Sequence, residues 1–315
     1  MAQNQDKLKL FILLTQAFGL VITLLTSFVG AIYIFNGEWL YAFPISVFFV
    51  VANYYLVIFF CKEKENRRKK GYPPIFYYLF GAYGLMSIIL SFFVLHFYNV
   101  EFNEKEEIQR VGYKKIEGVT LIYKEFDKQK NDFIISYSAN LYNLLEEVNY
   151  ISLEKCPYNL NKTAVDIIRD ANSNALRVKA LAEGIQKKLD TEKERILKKD
   201  NTVNDTSYVS FLLNQKNIIE AWDRFKIANS LSDLNDRITT DNAALSKVID
   251  EKTCSQFPMQ IESINYLDDT LIDNPLELAA KHLGPMSLLI LVFFQILILL
   301  PYFLTRGKSY GGVNN

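Results

Sequence analysis

Four runs of the chain, residues 10–35, 40–60, 75–98 and 286–304, contain no Asp, Glu, Lys or Arg. Each is close to or above the roughly 20 residues that a helix needs to cross a hydrocarbon core. In lipid every backbone polar group must be satisfied within the segment, so runs of this kind can fold only as helices. The first run is too long for the core of a signal peptide and has no small-residue cleavage site after it, so it reads as a retained span. Half of the residues are hydrophobic and are gathered into these blocks, which is the composition of a membrane protein.

The side of each span follows from the loop 61–71, which carries Lys62, Lys64, Arg67, Arg68, Lys69 and Lys70. Lys and Arg beside a span are poorly translocated, so this loop belongs on the cytoplasmic side. Lys7, Lys9, Arg306 and Lys308 then place both termini on the same side, and the expected location is a plasma (inner) membrane crossed four times. Binding of lipid headgroups by residues 67–70 is a secondary reading of the loop. The segment 99–282 holds 31 of the 35 acidic and 25 of the 35 basic residues and falls on the opposite face. No basic patch points to nucleic acid.

The expected organisation is a three-span region, 1–98, an extracytoplasmic domain, 99–282, and a fourth span with a short tail, 283–315. The fold class is an all-α integral membrane protein with a helical bundle inserted between the third and fourth spans. Spans one and two form a hairpin joined at Asn36-Gly37-Glu38-Trp39. In the inserted segment, Val119, Ile122, Phe126, Phe133, Tyr137, Leu141, Leu144 and Val148 follow helical spacing and continue the third span, with Gly112 and Gly118 as interruptions.

A second stripe runs through Ala164, Ile168, Ala171, Ala175, Val178, Ala182, Ile185, Leu189, Glu192 and Ile196 in steps of four and three, a pattern shared with coiled coils. Thr163 and Asp166 are its expected cap. Two more helices are expected over 208–229 and 231–252, the second broken by the polar run 239–242. Asn274, Pro275 and Glu277 read as cap, first position and third position of a helix. Gly284-Pro285 should kink the entry to the fourth span.

Cys156 and Cys254 fall on the extracytoplasmic side, where an oxidising compartment would pair them. Such a bridge would stabilise by about 4–5 kcal/mol in the chain-entropy model. The two histidines, His96 and His282, lie at the same ends of spans three and four. They read either as interfacial side chains or as a pair able to ligate a metal or haem, but no third ligand accompanies them, and no metal or cofactor is expected. Asp268, Asp269, Asp273 and Glu277 match no calcium loop and read as a solvated collar. Asn161 and Asn204 begin glycosylation sequons.

Within the spans the main polar residues are Thr15, Gln16, Thr23, Thr26, Ser27, Asn53 and Gln295. Hydrogen bonding between helices is their expected role, with Gly19 and Gly30 allowing close approach. No nucleophile with a base, phosphate loop or zinc motif is present, so an enzyme is not expected.

The sequence therefore points to a non-catalytic membrane protein. Its outer bundle would bind a protein or ligand, as a scaffold or sensor-like subunit of a cell-envelope assembly. The bilayer and either a protein partner or further copies of the chain are its expected partners. The alternative is a channel or transporter subunit with a pore lined by polar residues of spans one and two.

Overall fold

The computed structural model describes residues 2–66, 75–146, 173–198, 208–253, 272 and 274–304. Every regular element among them is helical. In chain order these are α1 (Ala2–Ile34), α2 (Trp39–Asn66), α3 (Ile75–Tyr98), a π-helical stretch (Asn99–Glu104) and α4 (Lys105–Glu146). There follow α5 (Asn174–Lys198), α6 (Tyr208–Ala221), α7 (Ile227–Thr253), α8 (Pro275–His282) and α9 (Pro285–Leu304). Four of the helices are long and apolar enough to cross a membrane: α1, α2, the helix that begins with α3, and α9. The chain divides into two compact units. One comprises Met1–Gln109, Trp222–Asn229 and Asp269–Asn315, the other Arg110–Ala221 and Ser230–Asp268.

The first unit contains the four apolar helices. Its α1 packs on α2, α3 and α9, while α2 and α3 also pack on each other and on α9. One apolar cluster joins Val50, Val57 and Phe60 of α2 to Tyr83 and Leu90 of α3 and Ile298 of α9. A second joins Ala31 and Ile32 of α1 to Ala42 of α2 and Phe93 of α3.

Both glycines of α1 sit at contacts. A Cβ on Gly30 would lie 2.0 Å from the carbonyl oxygen of Phe93, and one on Gly19 would lie 3.1 Å from Leu297 Cβ. Gly30 therefore brings the backbones of α1 and α3 together. The α1–α2 turn has Asn36 and Gly37 at positive φ, with Gly37 N–H donating to Ile32 O at 2.8 Å. That is the six-to-one bond of a Schellman cap.

Asn274 caps α8 as its sequence suggests. Its Oδ1 accepts from the Glu277 N–H, its Nδ2 donates to the Glu277 carboxylate, and Pro275 takes the first turn. At Leu283-Gly284 the helix is interrupted rather than bent, and Pro285 opens α9.

In the second unit α4 buries Val119, Ile122, Tyr123, Phe126, Phe133, Tyr137, Leu141 and Leu145. Leu145, not Leu144, completes this stripe. Val178, Ala182, Leu189 and Ile196 form the buried face of α5, from which Ala175 turns away.

Three expectations about helix ends are corrected. Gly112 and Gly118 do not interrupt α4. A Cβ on Gly112 would meet Ile219 Cδ1 at 2.8 Å, so this glycine admits α6 instead. The boundary between α6 and α7 lies at 222–226, where Trp222 takes φ 51°, and not at Ser230. The run 239–242 leaves α7 unbroken, because Asp241 is buried and paired. The expected cap at Thr163, the first part of the α5 stripe and Val148 lie outside the described residues.

Candidate functional site

The π-helical stretch of the first unit begins where the apolar run of α3 ends. It carries two carboxylates three residues apart, Glu101 and Glu104. Stretches of π-helix are rare and are frequently found at functional sites.

Glu101 gathers three side chains from two distant parts of the chain. Tyr33, at the end of α1, donates its hydroxyl hydrogen to Oε1 at 2.5 Å. Trp222 Nε1 donates to the same oxygen at 3.2 Å. Arg224 donates from Nε to Oε1 at 2.5 Å and from Nη2 to Oε2 at 3.1 Å. The ammonium of Lys105 lies 5.2 Å from the Trp222 ring centre. Burial alone would push the Glu101 carboxyl up, but the bonds from Arg224, Tyr33 and Trp222 outweigh it and hold the pKa below the usual carboxylate value. The same bidentate pairing raises Arg224.

Glu104 does the same for α8. Lys281 reaches its Oε1 at 2.6 Å and His282 Nε2 pairs with that oxygen. Here too burial opposes ionisation, and the bonds from Lys281 and His282 prevail and lower the carboxyl pKa. His96 is buried with its Nε2 2.9 Å from the carbonyl oxygen of Ile272, and its ring meets Tyr33 edge-on at 6.3 Å. Each histidine thus has a partner of its own. Among the described residues no three His, Cys, Asp or Glu side chains are grouped to hold a metal ion.

The polar residues of the spans divide by type. Thr15, Thr23, Thr26 and Ser27 return their hydroxyls to carbonyls of α1 itself, which corrects the expectation that they bond between helices. Asn53 and Gln295 do bond between helices. Asn53 Oδ1 accepts from Ser87 Oγ at 2.9 Å, while Gln295 accepts from Tyr83 OH at 2.8 Å and donates to Ser91 Oγ at 2.9 Å. Both pairs include α3, so this helix is tied to α2 and to α9. Gln16 is buried in α1.

Lys62 lies over the Phe59 ring, and Lys64 falls within α2. Arg67, Arg68, Lys69 and Lys70 lie outside the described residues, as do Cys156, Cys254, both sequons, Asp268, Asp269 and Asp273. Cys61 is partly buried near the end of α2 and is in no disulfide with a described residue.

The second unit has a separate set of buried charges. Lys115 donates to Asn235. Tyr123 donates to Asp241 at 2.6 Å, and Arg237 Nε donates to the same Oδ2 at 2.5 Å while its guanidinium lies over the Phe211 ring. Lys130 pairs with Asp190 and Asp127, and Lys193 pairs with Asp127 at 2.6 Å. Burial works against the charge on Lys130, yet the two carboxylates raise its pKa, and Lys193 and Lys130 lower that of Asp127 against the same penalty.

Glu101, Trp222 and Arg224 were not singled out by the sequence. The only local signal was a pair of acids just beyond a span, and their partners lie 68 or more residues away. Among the described residues, the fold and these sites define an all-helical protein with four helices able to cross a membrane and a compact helical unit encoded between the third and the fourth. Comparison with protein-family models, with curated proteins and with solved structures found no match. The functional reading therefore rests on the geometry of the chain itself.

Proposed function

We propose that this is a non-catalytic, multi-pass membrane protein whose second unit lies on the extracytoplasmic face. There it binds a protein or ligand as a scaffold or sensor-like subunit of an envelope assembly. The basic loop 61–71 and both tails lie in the cytoplasm, and the membrane is the plasma (inner) membrane. The observation that carries this reading is the helical path that runs without interruption over residues 77–146. It leads from an apolar span through the π-helical stretch into α4. Glu101 and Glu104 sit in that stretch and grip Tyr33, the 222–229 segment and α8.

The pairing of Asn53 and Gln295 across helices supports a closed bundle over a pore. Two measurements on purified full-length protein test the proposal. Crosslinking in native membranes should capture a stoichiometric protein partner or a second copy, and reconstituted vesicles should remain sealed to ions and small solutes. Solute flux that is lost on replacing Gln16 or Asn53 would overturn the proposal in favour of a channel.

A further inference from the structure

The segment Trp222–Asn229, the break after α6 together with the first residues of α7, carries no hydropathy signal, yet it belongs to the compact unit of the four apolar helices. We infer that this segment is a membrane-inserted anchor, with Phe225 seated at the acyl boundary of the bilayer and Arg224 and Lys226 at its headgroups. The inference rests on the membrane reading above.

Depth is the first argument. The Phe225 ring packs on Phe28 at 6.2 Å, and Phe28 packs edge-on against Phe43 at 5.6 Å. Phe28 lies six residues before Ile34, the end of α1, and at 1.5 Å per residue that places its Cα about 9 Å below the helix end. Side chains tilt toward the helix N-terminus, so the ring points deeper still. Phe43 lies four residues into α2, about 6 Å below the same turn. The Phe225 backbone sits at the turn, and its ring therefore reaches down along α1 toward Phe28.

Continuity is the second argument. Half of Phe225 remains exposed, and so are Trp39, Leu40 and Tyr41 at the start of α2, beside the turn on which the segment sits, so both carry apolar surface that is not covered by the chain. Phe102, which stacks on Tyr98 at 5.2 Å, adds a further exposed ring at the end of α3. In water such rings would cost about 25 cal/mol for each Å² of apolar surface, a cost that lipid removes.

Fixation is the third. The Phe225 carbonyl oxygen would lie 2.4 Å from a Cβ on Gly37, so only glycine lets the segment sit against the α1–α2 turn. Arg224 is clamped to Glu101. The flanking cations Arg224 and Lys226 stay part-exposed although each is paired, Arg224 with Glu101 and Lys226 with Asp223 at 3.7 Å, so their solvent-facing sides are what headgroups would meet.

Trp39 and Trp222 are the only tryptophans of the chain, so its fluorescence tests this directly. Wild type and the W39F variant, which retains Trp222, are reconstituted at full length in phosphatidylcholine vesicles with plain acyl chains or with chains brominated near the headgroup. Brominated lipid should quench W39F with a loss of emission comparable to that of Trp39, obtained by difference from wild type. If wild type is quenched and W39F is not, the spans lie in the bilayer and the segment does not, and the inference falls alone. If neither is quenched, the membrane reading falls with it.

Discussion

Arg224 and Glu101 form a two-point pair across 123 positions of sequence, with Nε 2.5 Å from Oε1 and Nη2 3.1 Å from Oε2. The glutamate side chain is 6% exposed and the arginine 49%, so the pair is asymmetric: Glu101 is the buried member that others depend on. Replacing Glu101 by Ala also strands Tyr33 OH and Trp222 Nε1. A buried donor left without a partner costs about 1–3 kcal/mol, and this variant leaves two. Arg224→Ala removes a partially solvated partner while Tyr33 and Trp222 continue to satisfy the carboxylate, and should cost less. Thermal melts in detergent should rank Glu101→Ala below Arg224→Ala, and equal losses would show that Glu101 is not the centre of the cluster.

The same geometry sets a pH dependence. The folded pKa values of Glu101 and Glu104 are both lowered, because the bonds they accept outweigh the penalty of burial. A carboxyl lowered on folding contributes stability above its unfolded pKa, and that contribution is lost as pH falls through the folded value. Stability should therefore decline on acidification below the ordinary carboxylate range. Glu101→Gln should flatten the decline, measured as melting temperature against pH. A profile unchanged by the substitution would remove Glu101 from its origin.

In the second unit, Asp241 accepts from both Tyr123 and Arg237 and is 4% exposed. Asp241→Leu would leave a buried guanidinium without its carboxylate, at a cost of about 3–5 kcal/mol. Tyr123→Phe removes the bond to Asp241 and a long one, 3.5 Å, accepted from Arg237 Nη2, and should cost less, about 0.5–1.5 kcal/mol for each. The double variant should differ from the sum of the two single effects, since both act on one carboxylate. Strict additivity in denaturant titrations would separate the two contacts.

Much of the membrane unit was legible because its signals are local. Uncharged length identifies the four helices, Asn274-Pro275 marks a cap, and Gly30 marks a contact. The break at Trp222 was not legible, since the amphipathic pattern of α6 runs on past it. What holds Trp222 at φ 51°, a strained backbone for a bulky residue, is hydrogen bonding to Glu101, which no neighbouring residue announces. The run 239–242 misled for the same reason. Its polarity suggests a loop until Tyr123 is placed opposite Asp241.

Glycine positions in the spans should respond in opposite directions. A Cβ on Gly30 would lie 2.0 Å from Phe93 O, whereas one on Gly84 meets nothing within 4 Å. Gly30→Ala must push α1 from α3, and overpacking of this kind costs about 1–3 kcal/mol or more. Gly84→Ala adds a better helix former at an open site, for which the intrinsic gain is up to about 1 kcal/mol. Melting temperatures in detergent should fall for the first and hold or rise for the second. A fall at Gly84 would instead mean that this face packs on another molecule in the assembled protein.

Interhelical polar pairs test how α3 is tied to its neighbours. Gln295→Leu deletes the acceptor of Tyr83 and the donor to Ser91, and Ser87→Ala deletes the donor to Asn53. A hydrogen bond between helices in a membrane is worth about 0.6 kcal/mol on average and up to roughly 1.7. Gln295→Leu, which breaks two, should therefore lower stability more than Ser87→Ala, which breaks one. Unfolding in mixed detergent micelles would measure both. If Gln295→Leu were neutral or stabilising, the apolar packing of α9 around Ile298 would be sufficient to hold it on α3, and the glutamine would be free to serve another purpose in the membrane.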